Sequence, residues 1–173
     1  MNIEQLKNTI RNVPDFPKPG IQFKDITTLL MENDAFSYCI DIFYQEFKDE
    51  NINALVGIES RGFIFAAPLA LKLGCRFVLA RKPGNLPSAT IAEEYDLEYG
   101  TDAIEMHTDS INTGDRVLII DDLLATGGTA KATGNIVKKL KGEIVSYGFL
   151  IVLNDLNGKD ALKSGRVFTI LEY

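Results

Sequence analysis

The stretch Val117–Thr129, VLIIDDLLATGGT, sets apolar residues against two adjacent carboxylates and then a run of small residues and glycines. Asp121 and Asp122 would repel a phosphate. They can accept hydrogen bonds from sugar hydroxyls, or orient the water shell of a divalent cation. Gly127 and Gly128 remove side chains where backbone amides must approach an anion closely. Successive N–H groups of Ala125–Thr129 would form a concave anion site, reinforced by the positive end of a following helix. Thr126 and Thr129 add hydroxyl donors. Each charge-assisted bond to a phosphate contributes about 1.5–3 kcal/mol before ordering costs. Phosphate on the loop and sugar on the acids together describe a ribose 5-phosphate. The GK[ST] ending of a P-loop and the GxGxxG of a dinucleotide fold are both missing. A receiver-type phosphorylation domain also places acids at a strand end, but it has no need of ATGGT.

Three cations follow strand-like runs elsewhere: Arg61 in SRG, and Arg81 with Lys82 after RFVLA. Beside a phosphate loop they suit a second, more highly charged anion, since Arg offers forked donors and Lys a point charge. Phe23 in PGIQFKDIT offers an apolar ring, with Lys24 next to it. LEYG places Glu98 and Tyr99 beside a glycine, where a closing segment could exclude water and handle a proton. His107 is the single histidine and has no second imidazole or thiol near it in sequence, so it reads as structural. No nucleophilic triad or protein-only metal cage is evident. Cys39 and Cys75 are too far apart for CxxC chemistry and read as reduced, buried thiols.

These residues need elements to position them, and helix and strand signals alternate along the chain. Phe36, Ile40, Phe43, Tyr44 and Phe47 fall on one helical stripe after a cap at Asn33 or Asp34. Residues 54–59 read as a buried strand and 63–74 as a helix that Pro68 bends or begins. Residues 76–81 read as a strand. The polar segment Lys82–Gly100 shows no clear period and reads as a covering or mobile loop. TDAIEMHTD alternates as an edge or half-buried strand. Further strands are expected over 114–120, 143–153 and 166–173, with a helix over 127–141 and a turn over 154–158. The acids would end the VLII strand, where ligands sit in open α/β sheets. One α/β domain with a mostly parallel central sheet flanked by helices is the expected fold.

The 173 residues suffice for one domain burying roughly 70% of its unfolded surface. A net charge of −6 argues against a sequence-independent nucleic-acid binder. The start MNIEQLKNTI has no apolar signal core, and no uncharged run approaches the roughly 20 residues of a membrane span. A soluble, cytoplasmic protein without nucleic-acid or membrane partners is expected.

VLIIDDLLATGGT resembles the phosphoribosyl-diphosphate signature of type I phosphoribosyltransferases, and LLATGGT the form found in the adenine-using members. PDFPKPGIQFKDIT, GIESRGFIFAAPLA, ARKPGNLPSATI and YDLEYGTDAIEMH extend the likeness, in order, over nearly the whole chain. The resemblance implies transfer of a phosphoribosyl group from 5-phospho-α-D-ribose 1-diphosphate to adenine, giving AMP and diphosphate, with Mg²⁺ held through substrate oxygens. It implies a small base-binding hood over residues 1–30 and a flexible catalytic loop over 82–100. By resemblance Ala125–Thr129 hold the 5-phosphate, Asp121 and Asp122 the ribose, and Arg61, Arg81 and Lys82 the diphosphate. Phe23, Lys24 and Leu123 would contact adenine, Glu98 would be the catalytic carboxylate, and Tyr99 would help close the site. The Ser60–Arg61 peptide becomes a candidate for a strained or cis link. Some members have Arg where Lys24 stands, and the family commonly has Lys where this chain has Asn85. A homodimer with Arg76–Lys82 near its interface is also implied. Two alternatives stand beside this reading: transfer to another purine base, for which Lys24 is the candidate reader, and a non-catalytic regulator that keeps the sugar-phosphate site.

Overall fold

A computed structural model of the chain describes residues 1–96, 100–163 and 165–173. The chain divides into two compact units, Met1–Ile42 and Phe43–Tyr173. The first contains α1 (Ile3–Asn8), β1 (Arg11–Pro14), β2 (Gln22–Asp25), α2 (Thr27–Met31) and most of α3 (Asn33–Phe47). Asn2 opens α1 through a capping box with Gln5, each side chain bonding the other's backbone N–H. β1 and β2 pair antiparallel, placing Val13 opposite Phe23. The first bond of α3 runs from the Phe36 N–H to the Glu32 carbonyl, so the helix starts slightly ahead of the expected cap.

The second unit is built on a five-stranded sheet in the order β4-β3-β7-β8-β9, every pair parallel. Its strands are β3 (Ala54–Ile58), β4 (Arg76–Ala80), β7 (Arg116–Leu124), β8 (Glu143–Val152) and β9 (Arg166–Glu172). Near-continuous apolar runs suit strands covered on both faces. The two-residue alternation sends Val56, Val117, Ile119, Tyr147 and Phe149 into one core layer, shared with Ala130, Ile136 and Val137 of α5 (Gly128–Lys139). On the opposite face, Gly57 lies against Ala66 and Phe63 of α4 (Gly62–Leu73), and Gly148 against Phe43 and Phe47.

The structure corrects several expectations. Pro68 lies inside α4 rather than at its start, and Gly74 closes that helix with φ +68°. The segment expected as a loop contains a full strand, β5 (Thr90–Asp96), paired antiparallel with β6 (Thr101–His107) in a separate ribbon. Half-buried Ile91, Glu93 and Tyr95 alternate with exposed neighbours along β5. An inward glutamate hid this period. Glu93 accepts from Asn135 at 2.9 Å and pairs with Lys139 at 2.5 Å on α5. β7 continues past the acids to Leu124, because β8 pairs with it that far, whereas its pairing to β3 stops at Ile120. The expected turn over 154–158 forms a 3₁₀ turn, Asn154–Leu156, leading into α6 (Gly158–Ala161). His107 accepts from the Ser88 N–H at 3.3 Å. Cys39 is buried and Cys75 partly so, and both are free thiols.

Candidate active site

Beyond β7, Ala125–Thr129 turn directly into α5, with Gly127 at the N-cap in a left-handed conformation (φ +85°). A Cβ there would fall 2.7 Å from the Gly158 carbonyl oxygen, so the loop lies tight against the start of α6. The first helical bond runs from the Lys131 N–H to the Gly127 carbonyl at 2.9 Å. The amides before it have no acceptor within the helix and are available to an anion. Asp121, Leu123 and Ala125–Thr129 line a cavity of about 100 Å³ at this point.

The two acids have different surroundings. Asp121 is partly exposed and lines that cavity; its Oδ1 accepts the Asp122 N–H at 2.8 Å. Enclosure by protein, then the Asp122 charge, push its carboxyl well above the usual carboxylate range. Burial also raises Asp122, opposed by the Arg61 charge. Arg61 Nε lies 2.8 Å from Asp122 Oδ2, with side-chain exposures of 40% and 5%. Gly62 makes the approach of α4 to the acids possible, since a Cβ there would sit 2.9 Å from Asp121 Oδ1.

Arg81 and Lys82 follow β4, and Glu59, just past β3, gathers both. Its carboxylate accepts Arg81 Nη2 at 3.0 Å, Arg81 Nε at 3.2 Å and the Lys82 N–H at 2.8 Å. The forked Arg81 bond is the main reason Glu59 titrates below its ordinary value. Arg81 Nη1 donates to the Asn85 carbonyl at 2.9 Å. Buried Glu105 of β6 accepts the Gly84 N–H at 3.1 Å from the other side of the same turn. The Lys82 ammonium pairs with Asp102 and donates to Tyr95 Oη at 2.8 Å. Glu59, Tyr95, Asp102 and Glu105 were invisible as site residues in the sequence. Only the position of Glu59 beside Ser60-Arg61 offered a signal. The cis peptide in this turn is Glu59–Ser60, one link before the expected Ser60–Arg61.

Phe23 and Lys24 belong to the first unit. Phe16 meets the Phe23 ring edge-on, with centroids 5.1 Å apart, and Lys24 Nζ donates to Asn12 Oδ1 at 3.1 Å. Glu98 and Tyr99 lie outside the described residues. The structure thus brings Asp121, Asp122, Leu123, Arg61 and the Ala125–Thr129 loop together at the carboxyl end of the sheet, with Arg81 and Lys82 after the edge strand.

Residues 26–170 match the phosphoribosyl transferase domain family. The chain is 53% identical over 168 residues to an adenine phosphoribosyltransferase of Acaryochloris marina, covering 97% of this chain and 99% of that one. It is similar in structure to the adenine phosphoribosyltransferase of Rhodothermus marinus, with a TM-score of 0.94, 51% identity, and coverage of 99% and 98%. A Saccharomyces cerevisiae enzyme of that name is also similar (TM-score 0.93, 38% identity, 98% of each chain). It was solved with D-2,5-dideoxy-2,5-imino-altritol 1,6-bisphosphate and adenine. Five parallel strands with a glycine loop beyond their carboxyl ends, and this similarity from end to end, place the chain among the adenine phosphoribosyltransferases of the phosphoribosyl transferase domain family.

Proposed function

We propose that this protein transfers the 5-phosphoribosyl group of 5-phospho-α-D-ribose 1-diphosphate to adenine, releasing diphosphate and forming AMP for purine salvage. The observation that carries the reading is the backbone cradle at the start of α5, set beside the partly exposed Asp121 in a chain half identical to adenine phosphoribosyltransferases. The yeast relative's structure with adenine and a bisphosphate supports the same substrate pair. Amides of Ala125–Thr129 hold the 5-phosphate, and Asp121 and Asp122 accept from the ribose hydroxyls. Departure of diphosphate leaves cationic character at C1′, beside these acids. Arg61, Arg81 and Lys82 take up charge on the leaving group, which favours the dissociated arrangement. Phe23, Lys24 and Leu123 receive the base, and Glu98 manages its proton while Tyr99 helps exclude water. Positioning and electrostatics supply most of the rate.

Mg²⁺ fits this donor set, because the Asp121 carboxylate offers hard oxygen at the cavity. Among the described residues no group of three or more candidate ligands surrounds a point; substrate oxygens and water would supply the ion's coordination, with Asp121 orienting that water. When bound, the ion neutralises charge on the diphosphate. The chain works as one functional domain, residues 1–30 supplying the base-binding hood and 82–100 the catalytic loop. It acts in the cytoplasm as a homodimer. Exposed Ile64 and Leu71 on α4 and Phe77 on the edge strand β4 support pairing near Arg76–Lys82. Among the described residues no helix is long and apolar enough to cross a membrane.

The test is incubation with Mg²⁺, the sugar diphosphate and adenine, hypoxanthine or guanine in turn. AMP from adenine, with little product from the other bases, is expected. Nucleotide from another base alone would reassign the specificity, and sugar-diphosphate binding without product would make the protein a regulator.

A further inference from the structure

Each of the three cations assigned to the diphosphate has a carboxylate partner, and the three pairs differ in how firmly they are fixed. Arg61 meets Asp122, which is almost wholly buried. Arg81 spends Nε and Nη2 on Glu59 and Nη1 on the Asn85 carbonyl, so the ends of β3 and β4 clamp it. Lys82 is different, because its partner lies on the ribbon rather than the sheet. Its ammonium pairs with Asp102 of β6, and the side chains are 40% and 33% exposed. Asp102 has partners besides the lysine. Its Oδ1 accepts the Ala103 N–H at 2.8 Å and its Oδ2 accepts Tyr95 Oη at 3.1 Å. Tyr95 sits directly across the ribbon from Asp102. The Lys82 ammonium lies 5.4 Å from the Tyr95 ring centroid, and that ring lies 3.1 Å from where a Gly128 side chain would begin. The cation is therefore parked beside the phosphate loop on an anchored acceptor, at the end of a flexible four-carbon stem.

We infer that Asp102 competes with the diphosphate group for the Lys82 ammonium and so limits how tightly the protein retains that anion. The inference rests on the reading that Lys82 serves the diphosphate. A half-exposed ion pair is weak, so the competition is worth a factor of about two to five in affinity. An exchange of that size permits capture of the anion as substrate and its release as product.

The test is calorimetric titration of inorganic diphosphate with Mg²⁺ into the full chain, as wild type, Asp102→Asn, Lys82→Gln and the double variant. Ribose 5-phosphate serves as a second probe. Asp102→Asn is expected to bind diphosphate about two- to fivefold more tightly, with ribose 5-phosphate affinity unchanged. In the Lys82→Gln background the same substitution should change nothing. Unchanged or weaker diphosphate binding in Asp102→Asn overturns the inference. So does tightening that persists without Lys82, which would reflect only the removal of a negative charge. Asp102→Ala, lacking any acceptor, must shift diphosphate affinity in the same direction. Adenine turnover by the wild type separates the two levels. With AMP formed and no Asp102 effect, only the competition fails. With neither AMP nor diphosphate binding, the underlying reading fails too.

Discussion

At Asp121 a carboxyl group is held where enclosure and the adjacent Asp122 charge both oppose ionisation. The folded state holds this proton more tightly than the unfolded chain. Stability from this group is therefore lost as pH rises from about 3.9, the ordinary aspartate value, towards the raised one. Asp121→Asn should then raise Tm at neutral pH, with the gain shrinking to nothing in acid, as calorimetry across pH would show. The same variant should lose about a hundredfold or more in kcat/KM, because an amide cannot replace the carboxylate's charge and accepting capacity. Near-native kcat/KM in the Asp121→Asn, Asp122→Asn double variant would remove the pair from the reaction. The pair was legible because adjacent acids in front of a glycine turn stand out in one dimension. Their unequal burial was not, since it depends on where α4 brings Arg61 and Gly62.

Element by element, the loop between β7 and α5 depends on one backbone geometry. Gly127→Ala would force a side chain into φ +85° and to within 2.7 Å of the Gly158 carbonyl. A stability loss of about 1–3 kcal/mol is expected in denaturant titration. KM for the sugar diphosphate should rise by about tenfold or more as the amides shift off the phosphate. The turn after β4 depends on Glu59 in a comparable way. Glu59→Gln would replace the forked Arg81 bond with a neutral contact and weaken diphosphate binding, leaving ribose 5-phosphate binding intact by titration. The parallel strands were readable as apolar runs of the right length, whereas β5 was not, because Glu93 occupies an inward position that only α5 satisfies.

For the whole molecule, the proposed dimer makes a direct prediction. Light scattering should give twice the 19.2 kDa chain mass for the wild type. Leu71 is 86% exposed on α4, so Leu71→Asp leaves the monomer's core untouched. That variant should shift the mass towards a single chain, and an unchanged dimer would move the interface elsewhere.

The sequence by itself determined the alternation of strand and helix, the glycine turn after the adjacent acids, and the family. Each is written in consecutive residues, where apolar period, glycine placement and local charge act over a few positions. Only the tertiary structure decided which acid partners which cation. Arg61 with Asp122, Arg81 with Glu59 and Lys82 with Asp102 are joined across strands far apart in the chain. Ion pairing depends on distance and burial, and both are properties of the folded sheet and ribbon rather than of sequence spacing.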